Sequence, residues 1–372
     1  MKFWDWMVGF HEHSYRDFSN GAEGLKAVWL LRDAFEASWK DEFSGRHPFR
    51  HRIARASVDS YEWLIQYARK ILTARSLPGF GVVERRFGDP DEFFAAAAEM
   101  EIALLLSLGG FEIDFLAPSD VPTPDLRVRI EGKTFGLEIG SVNPPAEQAR
   151  LSEAMTRVLT YGFTKAVTGG VISRPPTDAE LETIDTEVRS AVVQAADNHR
   201  IVKVSLPGLA TIYVAPPDLA ADLPDDCRGQ FRTIPPYERP AEERIARVVR
   251  GKIRQFEALG DGGMLFLYDN ALGAETVLRL FDDPGDDTGT VLASIPRLVS
   301  LGLVVPHRFR NRPVQASWTT KDLRTLLTVQ IGVDEWADFL IWENRHPEQA
   351  LPAALDQAIK TYDQNLDRLL PL

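Results

Sequence analysis

The 372-residue chain is 44% hydrophobic and 26% charged, a globular composition with room for a sizeable core and for two or three domains or one decorated core. Its net charge of −12 argues against sequence-blind attraction to nucleic acid through the field of the whole molecule, although local basic patches override such a total. The single cysteine, Cys227, excludes an internal disulfide; with Asp5 and Glu12 too early for a signal peptide and no apolar run of spanning length, the expectation is a cytoplasmic protein without a membrane partner.

Residues 1 to about 80 read as helices. "VDSYEWLIQYARKIL" places Tyr61, Leu64, Ile65, Ala68 and Leu72 on one stripe. From about 90 to 108, "DEFFAAAAEMEIALLLSL" is a strong helix of Ala and Leu stopped by Gly109-Gly110. "FEIDFLA" reads as a short strand, and a Pro-rich loop leads to a hairpin, "TPDLRVRIEGKTFGLEIGS". After "NPP" come helical stretches, the second opening with Thr177 and Glu180 at capping-box spacing. "ATIYVAPP" is a strand, about 216 to 240 a loop, "AEERIARVVRGKIRQFEAL" a helix and "MLFLYD" an apolar strand. The remainder is mixed and ends in a helix from Pro352 to Leu369. The tryptophans are confined to the flanks, Trp4 to Trp63 and Trp318 to Trp342. Ordinary flank cores account for them; so would a protein partner or a homodimer docking there.

The hairpin alternates clearly. Leu126, Val128 and Ile130 face one side and Asp125, Arg127 and Arg129 the other; Phe135, Leu137 and Ile139 oppose Thr134, Gly136, Glu138 and Gly140. Gly132 in "IEGKT" suits a turn that needs positive φ. Pairing across that turn brings Asp125 and Glu138 together on one polar face. Two adjacent carboxylates repel unless protonated or bridged by a cation, and Mg²⁺ commonly takes one or two carboxylates plus waters and phosphate oxygens.

"EMEIALLLSLGGFEIDFL", "TPDLRV" and "KTFGLEIGS" together resemble the PD-(D/E)xK nuclease superfamily over about residues 90 to 141, with 241 to 268 as a plausible continuation. The resemblance implies an α/β fold with a restriction-endonuclease-like mixed sheet, its core running helix–three strands–helix–strand. It also implies phosphodiester cleavage dependent on Mg²⁺ or Mn²⁺, with DNA as the substrate and defence or repair as settings by analogy. Asp125 and Glu138 would hold the metal with the Ile139 carbonyl, joined by a helix glutamate, Glu101 or Glu99. Glu101 is preferred because it shares a stripe with Phe94, Ala98, Leu105 and Leu108; a surface acid is the alternative. On this reading the chain comprises a helical N-terminal region, 1–88, a nuclease-like core, 89–270, with an insertion at about 143–240, and an α-rich C-terminal region, 271–372.

The family places a lysine two residues after the second glutamate; here stands Gly140. A replacement is available in the helix from about 241 to 259. There Lys252 falls on the apolar stripe of Ile245, Val248, Val249, Phe256 and Leu259, with Gln255 at its edge. A lone ammonium in such a position needs a partner or must snorkel to water. Arg127 is a second source of charge. If neither serves, the chain is an inactive relative acting as a nucleic-acid-binding or protein-interaction module. A third class is a helical interaction protein built on the Trp-rich flanks. Basic segments at 46–75 (seven Lys or Arg against two acids), 244–254 and 307–312 suit a phosphate backbone or a solvated surface equally. "HEH" at His11 to His13 reads as surface.

Overall fold

The hairpin forms as its alternation dictates. Strand β1 (Glu112–Phe115) pairs antiparallel with β2 (Leu126–Ile130), and β2 with β3 (Lys133–Val142). The β2–β3 turn places both Glu131 (φ 51°) and Gly132 (φ 74°) in the left-handed region, the geometry that matches strand twist in a two-residue connection. The computed structural model describes mainly residues 18–36, 58–120, 123–142, 166–224, 262–269, 298–307, 323–332, 335–343 and 352–372, with shorter pieces between them, among which Lys252 is helical.

The fold is mixed α/β, and the chain divides into two units. One comprises Met1–Glu42, Ala56–Asn143 and Arg239–Leu372; the other comprises Phe43–Arg55 and Pro144–Glu238. The first holds a seven-stranded mixed sheet of order β1-β2-β3-β8-β9-β11-β10, with β8 (Gly262–Asp269), β9 (Leu298–His307), β10 (Leu323–Gly332) and β11 (Glu335–Glu343). Strands β3, β8 and β9 run parallel; the other neighbours are antiparallel. Central β8 buries Met264, Leu265, Phe266 and Leu267 in succession, as expected of a strand covered on both faces.

Helices α1 (Gly21–Glu36), α2 (Val58–Ala74), α3 (Gly81–Glu84) and α4 (Phe93–Leu108) belong to this unit. Of the stripe expected on α2, Tyr61, Leu64, Ile65 and Ala68 are buried, while Leu72 is half-buried. Helix α4 contacts β1 and β3 of the sheet as well as α2. It is apolar nearly all round and ends at Gly109, with Gly110 at φ 95° beyond it.

The C-terminal region, expected to be α-rich, instead supplies three strands of nine or ten residues. Runs such as "LVSLGLVV" and "ADFLIW" lack a period of two because they are covered on both faces: Val299, Leu301, Leu303 and Val304 are buried, as are Ala337, Phe339, Leu340 and Ile341. The expected final helix is broken at Thr361 into Ala353–Lys360 and Tyr362–Asn365.

The second unit holds a four-stranded sheet of order β5-β6-β4-β7, with β4 (Val167–Ile172), β5 (Val202–Leu206), β6 (Ala210–Ala215) and β7 (Phe231–Thr233). Helix α5 (Asp178–Asn198) begins with the expected reciprocal capping box of Thr177 and Glu180. It buries Leu181, Ile184, Val188, Ala191 and Ala195 in one core with Val204, Ile212 and Val214. No helix among the described residues is long and apolar enough to cross a membrane.

Candidate functional site

Register decides the site. Leu126 pairs with Leu137, so continuing the ladder one step sets Asp125 opposite Glu138. The Asp125 side chain turns along the strand end, where its Oδ2 accepts the Ile139 N–H at 2.7 Å. Lys252 closes the group: its Nζ donates to Glu138 Oε2 at 2.6 Å and lies 3.7 Å from Asp125 Oδ2. This ammonium comes from a different part of the chain, between β3 and β8 in sequence. Glu138 is wholly buried, whereas the side chains of Lys252 and Asp125 are 25% and 23% exposed. The cluster is therefore buried at Glu138 and partly reached by solvent at Lys252 and Asp125.

Its electrostatics are strained in one direction. Glu138 is pushed up to about 8, first by burial and then by the charge of Asp125, with Lys252 pulling the other way. Burial alone would lower the Lys252 ammonium, but the charges of Asp125, Glu138 and Glu99 outweigh it and hold it above its ordinary value. The site therefore carries more carboxylate than its lysine neutralises.

Helix α4 brings Glu99, not Glu101, to this side. Successive residues turn about 100° around a helix, so these two glutamates point about 200° apart. Both are buried, because α4 has no polar face to give them. Glu99 feels the charges of Asp125 and Lys252; burial first, and then Asp125, push it up to about 7 against the pull of Arg86. Arg86 Nη1 donates to both Glu99 oxygens at 2.8 Å. Glu101 faces away. Its oxygens accept from Lys70 Nζ at 2.8 Å and from the Tyr362 hydroxyl at 2.7 Å, while Lys70 also donates to the Ile331 carbonyl at 2.6 Å. The preference for Glu101 is corrected on this ground: a stripe cannot choose between two acids on a helix that is buried all round. Arg86 was not a candidate, and nothing in the spacing of "GVVERRFGDP" marks it.

Ile139 joins the cluster through its N–H. Arg127 is exposed, and Gln255 lies outside the described residues, as do Ile245, Val248, Val249, Phe256 and Leu259. In the basic segment 46–75, the described cations are tied to the chain's own acids: Arg69 to Glu23, Lys70 to Glu101, Arg75 to Glu84. The other two basic segments lie largely outside the described residues. His11, expected at the surface, is buried beside Tyr61, with ring centroids 5.4 Å apart. Trp63 is buried and stacked on Tyr67, while Trp29 is exposed.

Whether a hard divalent ion suits the pair turns on the donors. Among the described residues no three His, Cys, Asp or Glu side chains converge as a ready-made cage. Asp125 and Glu138 do converge, and both offer oxygen. An ion such as Mg²⁺ keeps several waters and takes only one or two carboxylates, so the donor set of this partly solvated pair is of the kind such an ion takes. No family model matches this chain, and no curated protein matches it.

Proposed function

We propose that the Asp125–Glu138–Lys252 cluster is the centre of a metal-dependent phosphodiesterase acting on DNA, in a core of the PD-(D/E)xK kind. The observation that carries this reading is the placement of Lys252 Nζ at 2.6 Å from Glu138 and 3.7 Å from Asp125. That constellation needs Lys252 on the apolar side of its own segment and the two acids in opposed register, and the sequence supplies both. The order α4, β1, β2, β3, helical Lys252, β8 follows the helix–three strands–helix–strand plan that the resemblance implies, and β3 and β8 are parallel neighbours. This supports a restriction-endonuclease-like core.

Asp125 and Glu138 would hold the Mg²⁺ or Mn²⁺, and such an ion supplies Lewis acidity and a water of lowered pKa. The chain's own contribution is positional. The Ile139 N–H fixes one Asp125 oxygen, leaving the carboxylate little freedom to turn. Burial fixes Glu138. The Lys252 ammonium stabilises the charged form of Glu138 and lies at the open side, placed to stabilise negative charge on an attacking water or a phosphate oxygen.

A second reading draws on the same lysine. An ammonium against a buried carboxylate already satisfies it, and a non-catalytic nucleic-acid-binding or protein-interaction module on this scaffold needs no ion. Cleavage of supercoiled plasmid with Mg²⁺ or Mn²⁺ separates the two. The nuclease reading expects cleavage, and a fall of about 10²–10³-fold or more with Asp125→Ala, Glu138→Ala or Lys252→Met. An uncut plasmid under both ions, together with no heat on titrating Mn²⁺, leaves only the module.

A further inference from the structure

We infer that Arg86 is a positioning residue that holds Glu99 out of the metal site, so that the centre takes one divalent ion and not two. The inference rests on the nuclease reading of Asp125 and Glu138 and concerns the stoichiometry of that site.

Two observations carry it. First, Glu99 sits at the border of the cluster, within reach of the charges of Asp125 and Lys252, and its side chain is only 5% exposed. It cannot turn into water, so its orientation is set by what it touches. Second, what it touches is Arg86, whose Nη1 lies 2.8 Å from each of its oxygens. Arg86 is itself tethered, because its Nε donates to Glu92 Oε2 at 3.0 Å. Both Glu99 oxygens are thereby engaged on the side of Arg86, and an ion beside Asp125 would have to compete with a charge-assisted contact for them.

Arg86→Gln should release Glu99 towards the site. Isothermal titration and electron paramagnetic resonance with Mn²⁺ read the result without any need for turnover. The wild-type protein should bind one Mn²⁺ per chain. Arg86→Gln should bind a second, or bind the first at least tenfold more tightly. Arg86→Gln/Glu99→Gln should return to one ion at an affinity no tighter than wild type. Circular dichroism would check that each variant folds. Should Arg86→Gln not fold, Arg86→Lys, which keeps the charge but loses the fork of donors, should show the same change at smaller size. Two ions on the wild type, or an unchanged count and affinity in whichever Arg86 variant folds, overturns the inference and leaves the nuclease reading intact. A folded wild type that binds no Mn²⁺ at all overturns both.

Discussion

Lys70 and Lys252 both lie against glutamates in the seven-stranded unit, and almost everything around them differs. Lys70 faces one acid, Glu101, and its remaining hydrogen-bonding capacity goes to the Ile331 carbonyl. Tyr362 completes Glu101, and the two charged side chains are 5% and 9% exposed. Charges match one to one and no solvent-facing side remains. Lys252 faces two acids and also feels the charge of Glu99, and it and Asp125 are each about a quarter exposed. A closed pair of matched charges specifies packing: this one ties α2 and α4 to β10 and to the helix at Tyr362. A partly solvated group with more acids than cations is, on the proposed reading, where a cation would bind. Perturbation by desolvation plus a specific charged partner is one mark of a candidate functional cluster.

Removing each lysine should break the resemblance between them. Lys70→Met strips Glu101 of its charged partner and the Ile331 carbonyl of the Lys70 donor inside the protein, and the expected loss is about 3–5 kcal/mol of stability, read by urea denaturation. Lys252→Met should cost roughly 1 kcal/mol or less, because that pair is partly solvated, and Glu138 can take up a proton instead. Its effect should fall on plasmid cleavage. If Lys70→Met costs no more than Lys252→Met, the two clusters are not of different kinds.

How much of this could be read from the chain follows the same physics. The β2–β3 hairpin was legible because one side of it is polar, so Asp125 and Glu138 announce their face by alternation. Lys252 was legible because an ammonium on an apolar stripe is anomalous. The choice between Glu99 and Glu101 was not, since a helix without a polar side carries no phase information. Arg86 lies in a turn, where no period assigns direction. Strands β9 and β11 were missed for the reason that hid the glutamates: coverage on both faces erases alternation. The resemblance located the acidic pair; it had no bearing on which cation would neutralise the helix glutamate.

Titration should separate the open cluster further. Glu138, at about 8 in the folded protein against 4.5 ordinarily, and Glu99, at about 7, are raised in the native state. Between those limits the folded chain binds more protons than the unfolded chain, so stability falls as pH rises. The slope for one such group reaches at most about 1.4 kcal/mol per pH unit. Denaturation midpoints measured between pH 5 and 9 should decline across pH 5–8, and Glu138→Gln should flatten that decline. A bound divalent ion favours the ionised carboxylate, so Mn²⁺ affinity should rise over the same interval. A pH-independent affinity would mean that Glu138 is not a ligand.

The smallest effect tests what fixes the register. Glu131 occupies the left-handed region at φ 51°, beside Gly132 at 74°, and a side chain with a Cβ is strained there unless it is Asn or Asp. The turn type is the one that Asn-Gly favours. Glu131→Asn should therefore stabilise the protein by a few tenths of a kcal/mol, up to about 1, without altering cleavage or Mn²⁺ affinity. That indifference follows from the packing: Leu126, Val128, Phe135 and Leu137 are fully buried, and a one-residue slip would turn all of them to the other face. The core holds Asp125 opposite Glu138, and the turn only has to permit it. A change of metal affinity in Glu131→Asn would show instead that the turn strains the acidic pair, placing part of the site's geometry six residues away from its nearest carboxylate.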